Sequence, residues 1–283
     1  MVDLANLRDP VVIAAFAGWN DAAEAATGAV DHLIEEWHAE LVTEIDPEEY
    51  YDFQVIRPEV GFDENGDRRL TWPTTRIYLA RPDDTDRDVL LIRGIEPNMR
   101  WRGFTQELLE VVDESNAQIV VVLGALLADS PHTRPIPVSA TSSDAELSAS
   151  WSLEPSTYEG STGITGVFAD FCGQLGVPAV SIWSAIPHYI AGTACPKASL
   201  ALLSKIEALL DLQIPEGELP EMARAWQRGA DELSEEDPEV AEYVQSLEEQ
   251  RDTADLPEAS GDAIAAEFER YLRRRNKNHP DAQ

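Results

Sequence analysis

Four short loops carry side chains able to do chemistry: Trp19-Asn20-Asp21, the stretch from Arg93 to Arg102, the stretch from Asp129 to Arg134, and Pro187-His188-Tyr189. Thr162, in Ser161-Thr162-Gly163, adds a hydroxyl to them. Arg93, Arg100, Arg102 and Arg134 offer planar guanidinium forks that can hold a phosphate or carboxylate through paired N–H donors. Glu96 or Asp21 can serve as a base, and His132 or His188 as an acid or base near neutral pH. Asn20 or Asp21 also suits a helix N-cap, and a capped helix start just after Gly18 is a potential anion site. The candidate ligand-binding set is therefore Asn20, Asp21, Arg93, Glu96, Arg100, His132, Arg134, Thr162 and His188. The plainer alternative is that the arginines pair with carboxylates and the histidines hydrogen-bond structurally.

Recognised catalytic signatures are missing. Ser130 and Ser161 stand outside any G-x-S-x-G elbow. There is no phosphate-binding G-x-x-x-x-G-K-[ST] loop, no dinucleotide glycine fingerprint and no H-E-x-x-H. Cys172 and Cys195 have neither metal-ligand spacing nor a C-x-x-C pairing, so they are expected to be buried, reduced thiols. No metal and no cofactor is expected, and catalysis has no complete set of residues to rest on. His32 and His38 are expected on the surface of the first helix.

These loops need elements to position them. The sequence is organised around Gln118–Leu123, an apolar run that Gly124 is expected to end. Such a run is the pattern of a strand buried on both faces of a sheet. Similar runs at Val11–Ala17, Val89–Ile92 and Ala179–Trp183 predict three more buried strands. Helical spacing follows them at Ala22–Trp37, Gly103–Glu114, Ile164–Leu175 and Lys197 to Leu212. Alternating strands and helices argue for right-handed crossovers and a mainly parallel sheet with its polar loops along one carboxyl edge. Glu40–Ile45 and Arg76–Ala80 predict strands of an antiparallel excursion, with a hairpin turn at Asn65-Gly66 between them. The fold class is α/β, three layers α/β/α, with a helical appendage.

Composition changes after Leu212. Prolines at 215, 220, 238 and 257 punctuate three acidic amphipathic patterns: Leu219/Met222/Ala223/Trp226, Val240/Tyr243/Val244/Leu247 and Ile264/Phe268/Tyr271/Leu272. The expected organisation is a sheet domain over 5–212, an acidic helical appendage over 213–275 and a disordered tail over 276–283. With 53 acidic against 21 basic residues the net charge is −32, a field that repels phosphate backbones and anionic membranes. The basic run Arg273-Arg274-Arg275 with Lys277 reads as a solvated helix end. No nucleic-acid or membrane partner is expected. Neither an apolar run long enough to span a bilayer nor a signal peptide at Met1–Pro10 is evident, so a cytoplasmic protein is expected.

Several segments, in their order and spacing, resemble one family. They are Gly18-Trp19-Asn20-Asp21-Ala22, Arg93-Gly94-Ile95-Glu96-Pro97 with Arg100-Trp101, Pro131-His132-Thr133-Arg134-Pro135, Thr162-Gly163-Ile164-Thr165-Gly166-Val167, and Val180 through Pro187-His188-Tyr189. Over residues 5–212 the sequence resembles the proteasome assembly chaperone 2 family, in its prokaryotic, actinobacterial-type branch. The resemblance implies an architecture related to purine nucleoside phosphorylases, a homo-oligomer, and proteasome subunits among the partners, since eukaryotic relatives help assemble the proteasome α-ring. Chaperones that dock on that ring often end in a hydrophobic–Tyr–any residue tail. This sequence ends Asp281-Ala282-Gln283, so docking through the acidic appendage is the expected alternative. The reading is a non-enzymatic protein-binding factor, its tryptophans at 19, 72, 101, 151 and 183 serving core or subunit contacts. The alternative is a small-molecule protein or enzyme, for a nucleoside or phosphate ester, with its site at the carboxyl edge.

Overall fold

The computed structural model describes residues 4–255, apart from 64, 84, 154, 155, 157 and 191. By Cα proximity the chain divides into two compact units, Met1–Glu232 and Leu233–Gln283. The first is built on a seven-stranded sheet ordered β2-β5-β6-β1-β7-β9-β8. Four strands, β1 (Val11–Ala17), β6 (Val89–Ile95), β7 (Ile119–Ala128) and β9 (Ala179–Pro187), run parallel in its centre. Antiparallel strands flank them: β5 (Arg76–Ala80) and β2 (Glu40–Glu44) on one side, β8 (Val138–Thr141) on the other. A separate two-stranded hairpin, β3 (Glu59–Phe62) with β4 (Arg68–Thr71), fills the excursion between β2 and β5.

Residue alternation along the central strands feeds two cores. Val11, Ile13 and Ala15 face helices α1 (Ala25–Glu36) and α5 (Pro196–Leu210). Val12, Ala14 and Phe16 face α2 (Trp101–Glu114) and α4 (Ile164–Gln174). Strands buried on both faces need apolar residues at every position, which is why these runs are continuous rather than alternating. The result is three layers, helix–sheet–helix. A short helix α3 (Ala145–Ser150), capped by Asp144, follows β8. Helices α6 (Leu219–Glu236) and α7 (Pro238–Asp255) come last.

Three expectations need correction. Gly124 does not end the central strand: β7 runs through it to Ala128 and stays paired with β9. Gly124 is needed there because a Cβ would lie 2.6 Å from Trp183 Cε3. His32 is buried rather than on the surface, and its Nε2–H donates to the Pro215 carbonyl at 2.7 Å. The first helix begins with a 3-10 turn over Ala22–Glu24, and the α-helical part starts at Ala25. The third appendage pattern (264–272), the basic run and the 276–283 tail lie outside the described residues. Among the described residues no helix is long and apolar enough to cross a membrane.

Candidate functional site

The chain leaves β1 through α1 on one face of the sheet and leaves β6 through α2 on the other. Neighbouring loops that part to opposite faces open a crevice at the carboxyl end of the strands, where open α/β proteins bind ligands. Here that crevice is filled by the chain itself. Asn20 is buried in it, and its carbonyl accepts from the amide of Ala125 on β7 at 2.8 Å. Its Nδ2 donates to Glu96 Oε1 at 3.0 Å. The same Glu96 oxygen accepts from the backbone amide of Ile164, the first residue of α4, at 2.9 Å. A carboxylate on a free amide of a helix's first turn is favourable both as a cap and toward the helix dipole. The clasp is closely packed, because a Cβ on Gly163 would fall 1.9 Å from Asn20 Nδ2.

Asp21 is likewise occupied. Its Oδ1 accepts from the amides of Ala26 (2.8 Å) and Thr27 (3.2 Å), and its Oδ2 from the Thr27 hydroxyl. It caps the first turn of α1 from beyond the N-cap position, which Glu24 holds. Burial pushes its carboxyl above the ordinary 3.8, opposed by these hydrogen bonds and by the Arg93 charge. Thr162 is exposed just before α4, close against Gly166.

The remaining candidates are held apart. Arg93 and Glu96 stand three positions apart along an extended segment and go to opposite faces. Arg93 lies on the α1 side, where Nε donates to Asp31 Oδ1 at 2.9 Å and Nη1 to the Gly94 carbonyl. It lines an open pocket of about 150 Å3 with Glu24, Asp31, Cys195, Leu219 and Met222. Arg100, in a left-handed conformation before α2, pairs with Glu49. His188 Nδ1 is 3.3 Å from Asp129 Oδ1 at the surface. Arg134 reaches the Thr133 hydroxyl at 3.4 Å.

His132 sits in a cluster that sequence reasoning missed. It is buried, and the Tyr189 hydroxyl oxygen accepts from its backbone amide at 2.8 Å. That hydroxyl also lies 2.7 Å from Nδ1, and across the ring Nε2–H donates to Asp231 Oδ1 at 3.2 Å. Lys197 donates to the His132 carbonyl and to Gln227 Oε1, and Gln227 Nε2 returns to Asp231 at 2.9 Å. Burial lowers the Lys197 ammonium pKa and pushes the neighbouring Cys195 thiol up to about 11. The cluster ties the loop after β7 and the start of α5 to α6. In sequence only Tyr189 and His132 hinted at it.

While Asn20, Asp21 and His132 turn inward, four apolar side chains face out along the carboxyl edge. Trp19 after β1 is 66% exposed and Leu127 at the end of β7 is 51% exposed. Met99 after β6 and Leu126 beside Leu127 are also exposed.

A model of the PAC2 family matches residues 15–234. The chain belongs to the PAC2 family. The match spans every candidate residue and runs from β1 into α6. A PAC2 family protein of Streptomyces avermitilis is 54% identical, over 83% of this chain and all of that one, with a TM-score of 0.79. The proteasome-assembly chaperone homologue of Mycobacterium tuberculosis is 51% identical over 83% of this chain and 99% of its own, TM-score 0.75. PbaB, an archaeal proteasome activator of Pyrococcus furiosus, shares the fold at 20% identity, covering 81% and 94% of the two chains, TM-score 0.63. A search of the curated proteins finds no match. Among the described residues no three His, Cys, Asp or Glu side chains are grouped to hold a metal ion.

Proposed function

We propose that this PAC2 chain is a non-enzymatic protein-binding factor that serves proteasome assembly, working in the cytoplasm as a homo-oligomer. One observation carries the reading: the carboxyl edge is plugged by the Asn20–Glu96–Ile164 clasp and presents Trp19, Met99, Leu126 and Leu127 to solvent. Exposed apolar side chains along one edge mark a protein-contact surface, whereas an active site needs polar groups directed into a cavity. The relationship to a proteasome-assembly chaperone homologue at 51% identity supports the choice of partner. The acidic appendage, 213–275, offers a second contact.

The small-molecule alternative is less well supported. Asp21, Glu96 and His132 are engaged in structural hydrogen bonds, and the pocket beside Arg93, at about 150 Å3, is smaller than the roughly 300–1,000 Å3 of ordinary ligand sites. The test is capture of proteasome subunits from a proteasome-containing extract by the tagged chain, with Trp19→Ser as control. Recovery by the wild type and loss with Trp19→Ser supports the reading. A bait without proteasome subunits, stabilised thermally by nucleosides, nucleotides or phosphate, moves the assignment to the pocket.

A further inference from the structure

The β3–β4 hairpin has two unlike faces. Residues directly opposite in an antiparallel pair share a face, so the pairs Val60–Leu70 and Phe62–Arg68 lie together, with Trp72 continuing the side of Leu70. Glu59, Thr71, Gly61 and Arg69 take the other face, where Arg69 pairs with Asp63 at 2.9 Å. On the first face Val60, Phe62, Leu70 and Trp72 remain between 44% and 74% exposed. The Trp72 ring lies tilted against Phe53, centroids 4.8 Å apart, which anchors the root of the hairpin. A two-stranded hairpin is marginal on its own, and an apolar face turned to water makes it more so.

We infer that this face is the arm by which one copy of the chain grips a second copy. The inference rests on the oligomer proposed above and names its surface. Three features fit a second copy. The face exposes on the order of 400 Å2 of mostly apolar area, the size of patch that marks an interaction site. That is about half of the roughly 800 Å2 each partner buries in a standard interface, so an arm given and an arm received by each copy completes one. Its composition, two aromatics, two aliphatics and Arg68, is that of an interface core. Arg68 brings a positive charge and, among the described residues of this face, no carboxylate accompanies it, while a chain of net charge −32 offers acidic surface to receive it. Because each copy both gives and receives an arm across the same contact, the hairpin of one meets the receiving surface of the other and the reverse, an isologous contact that closes a two-fold dimer.

Light scattering on the purified full chain at tens of micromolar tests this without any other protein. The wild type is expected to be an oligomer, and Phe62→Asp to reduce the mass to that of a single chain, with the far-ultraviolet circular dichroism unchanged. Arg68→Glu, which leaves the apolar side chains in place, is expected to weaken the oligomer at least tenfold in dissociation constant. A monomeric wild type, or an undiminished oligomer in both variants, overturns the inference. Neither result bears on capture of proteasome subunits, so failure of the arm and failure of the assembly role are separable.

Discussion

Glu96→Ala isolates the feature that closes the carboxyl edge. One oxygen of Glu96 serves two donors, Asn20 Nδ2 at 3.0 Å and the Ile164 amide at 2.9 Å. Truncation leaves the amide of Ile164, a fully buried residue, without that acceptor. Losing a hydrogen bond to a charged group costs about 1.5–3 kcal/mol, and losing an N-cap about 0.5–2 kcal/mol; these overlap here, so the expected loss is about 2 kcal/mol. Glu96→Gln keeps an acceptor oxygen in place and removes the charge at the α4 N-terminus, a loss of about 0.3–1 kcal/mol. At this chain length, about 2–4 °C in Tm accompanies each kcal/mol, so the alanine variant should melt about 4–8 °C lower and the glutamine variant about 1–4 °C lower. The assay is urea unfolding at fixed protein concentration together with a thermal scan, and the urea slope should stay constant while the midpoint moves. An alanine variant as stable as wild type refutes the clasp. A glutamine variant as unstable as alanine refutes the division between cap and charge.

Other sites give sharper or simpler readings. Burial raises the Asp21 pKa from 3.8, so its folded value exceeds its unfolded one; the stability this contributes is full below the unfolded pKa and is lost as pH rises through the folded pKa. Asp21→Asn has no such titration, so the stability difference between the two should shift toward the variant as pH rises from about 4 to 7, as measured by urea midpoints; a pH-independent difference contradicts the assignment. Gly124→Ala places a Cβ 2.6 Å from the Trp183 ring and should lower stability by about 1–3 kcal/mol, read from the same urea midpoints. Tyr189→Phe removes the hydroxyl that bonds both the amide and Nδ1 of His132, an expected loss of about 1–3 kcal/mol by thermal melting, and unchanged stability would show that the hydroxyl does not hold the cluster.

The layer architecture was legible because the central strands, buried on both faces, had to be unbroken apolar runs. The capping role of Asp21 was legible but its reach was not: α1 starts at Ala25, so the carboxylate bonds the amides of Ala26 and Thr27 from five and six residues upstream. The end of β7 was not, because glycine reads as a break until its neighbour is known, and Trp183 over Gly124 is a tertiary fact. Arg93 and Glu96 were both placed in one candidate pocket. Strand alternation sends them to opposite faces, a signal present in the sequence. The His132 cluster depends on Asp231, which is 99 residues away on α6, and no local pattern announces such a pairing. Charged loop residues were found, but the partners that engage them, such as Asp31 for Arg93 and Glu49 for Arg100, required distances.

The most direct measurement is calorimetric titration of the purified chain with purified proteasome α-ring subunits at several temperatures. The account predicts saturable binding with a negative heat-capacity change, the mark of apolar burial, and a loss of at least tenfold in affinity for Trp19→Ser with Leu127→Ser. Absence of binding to those subunits, or binding that the two substitutions leave intact, contradicts it.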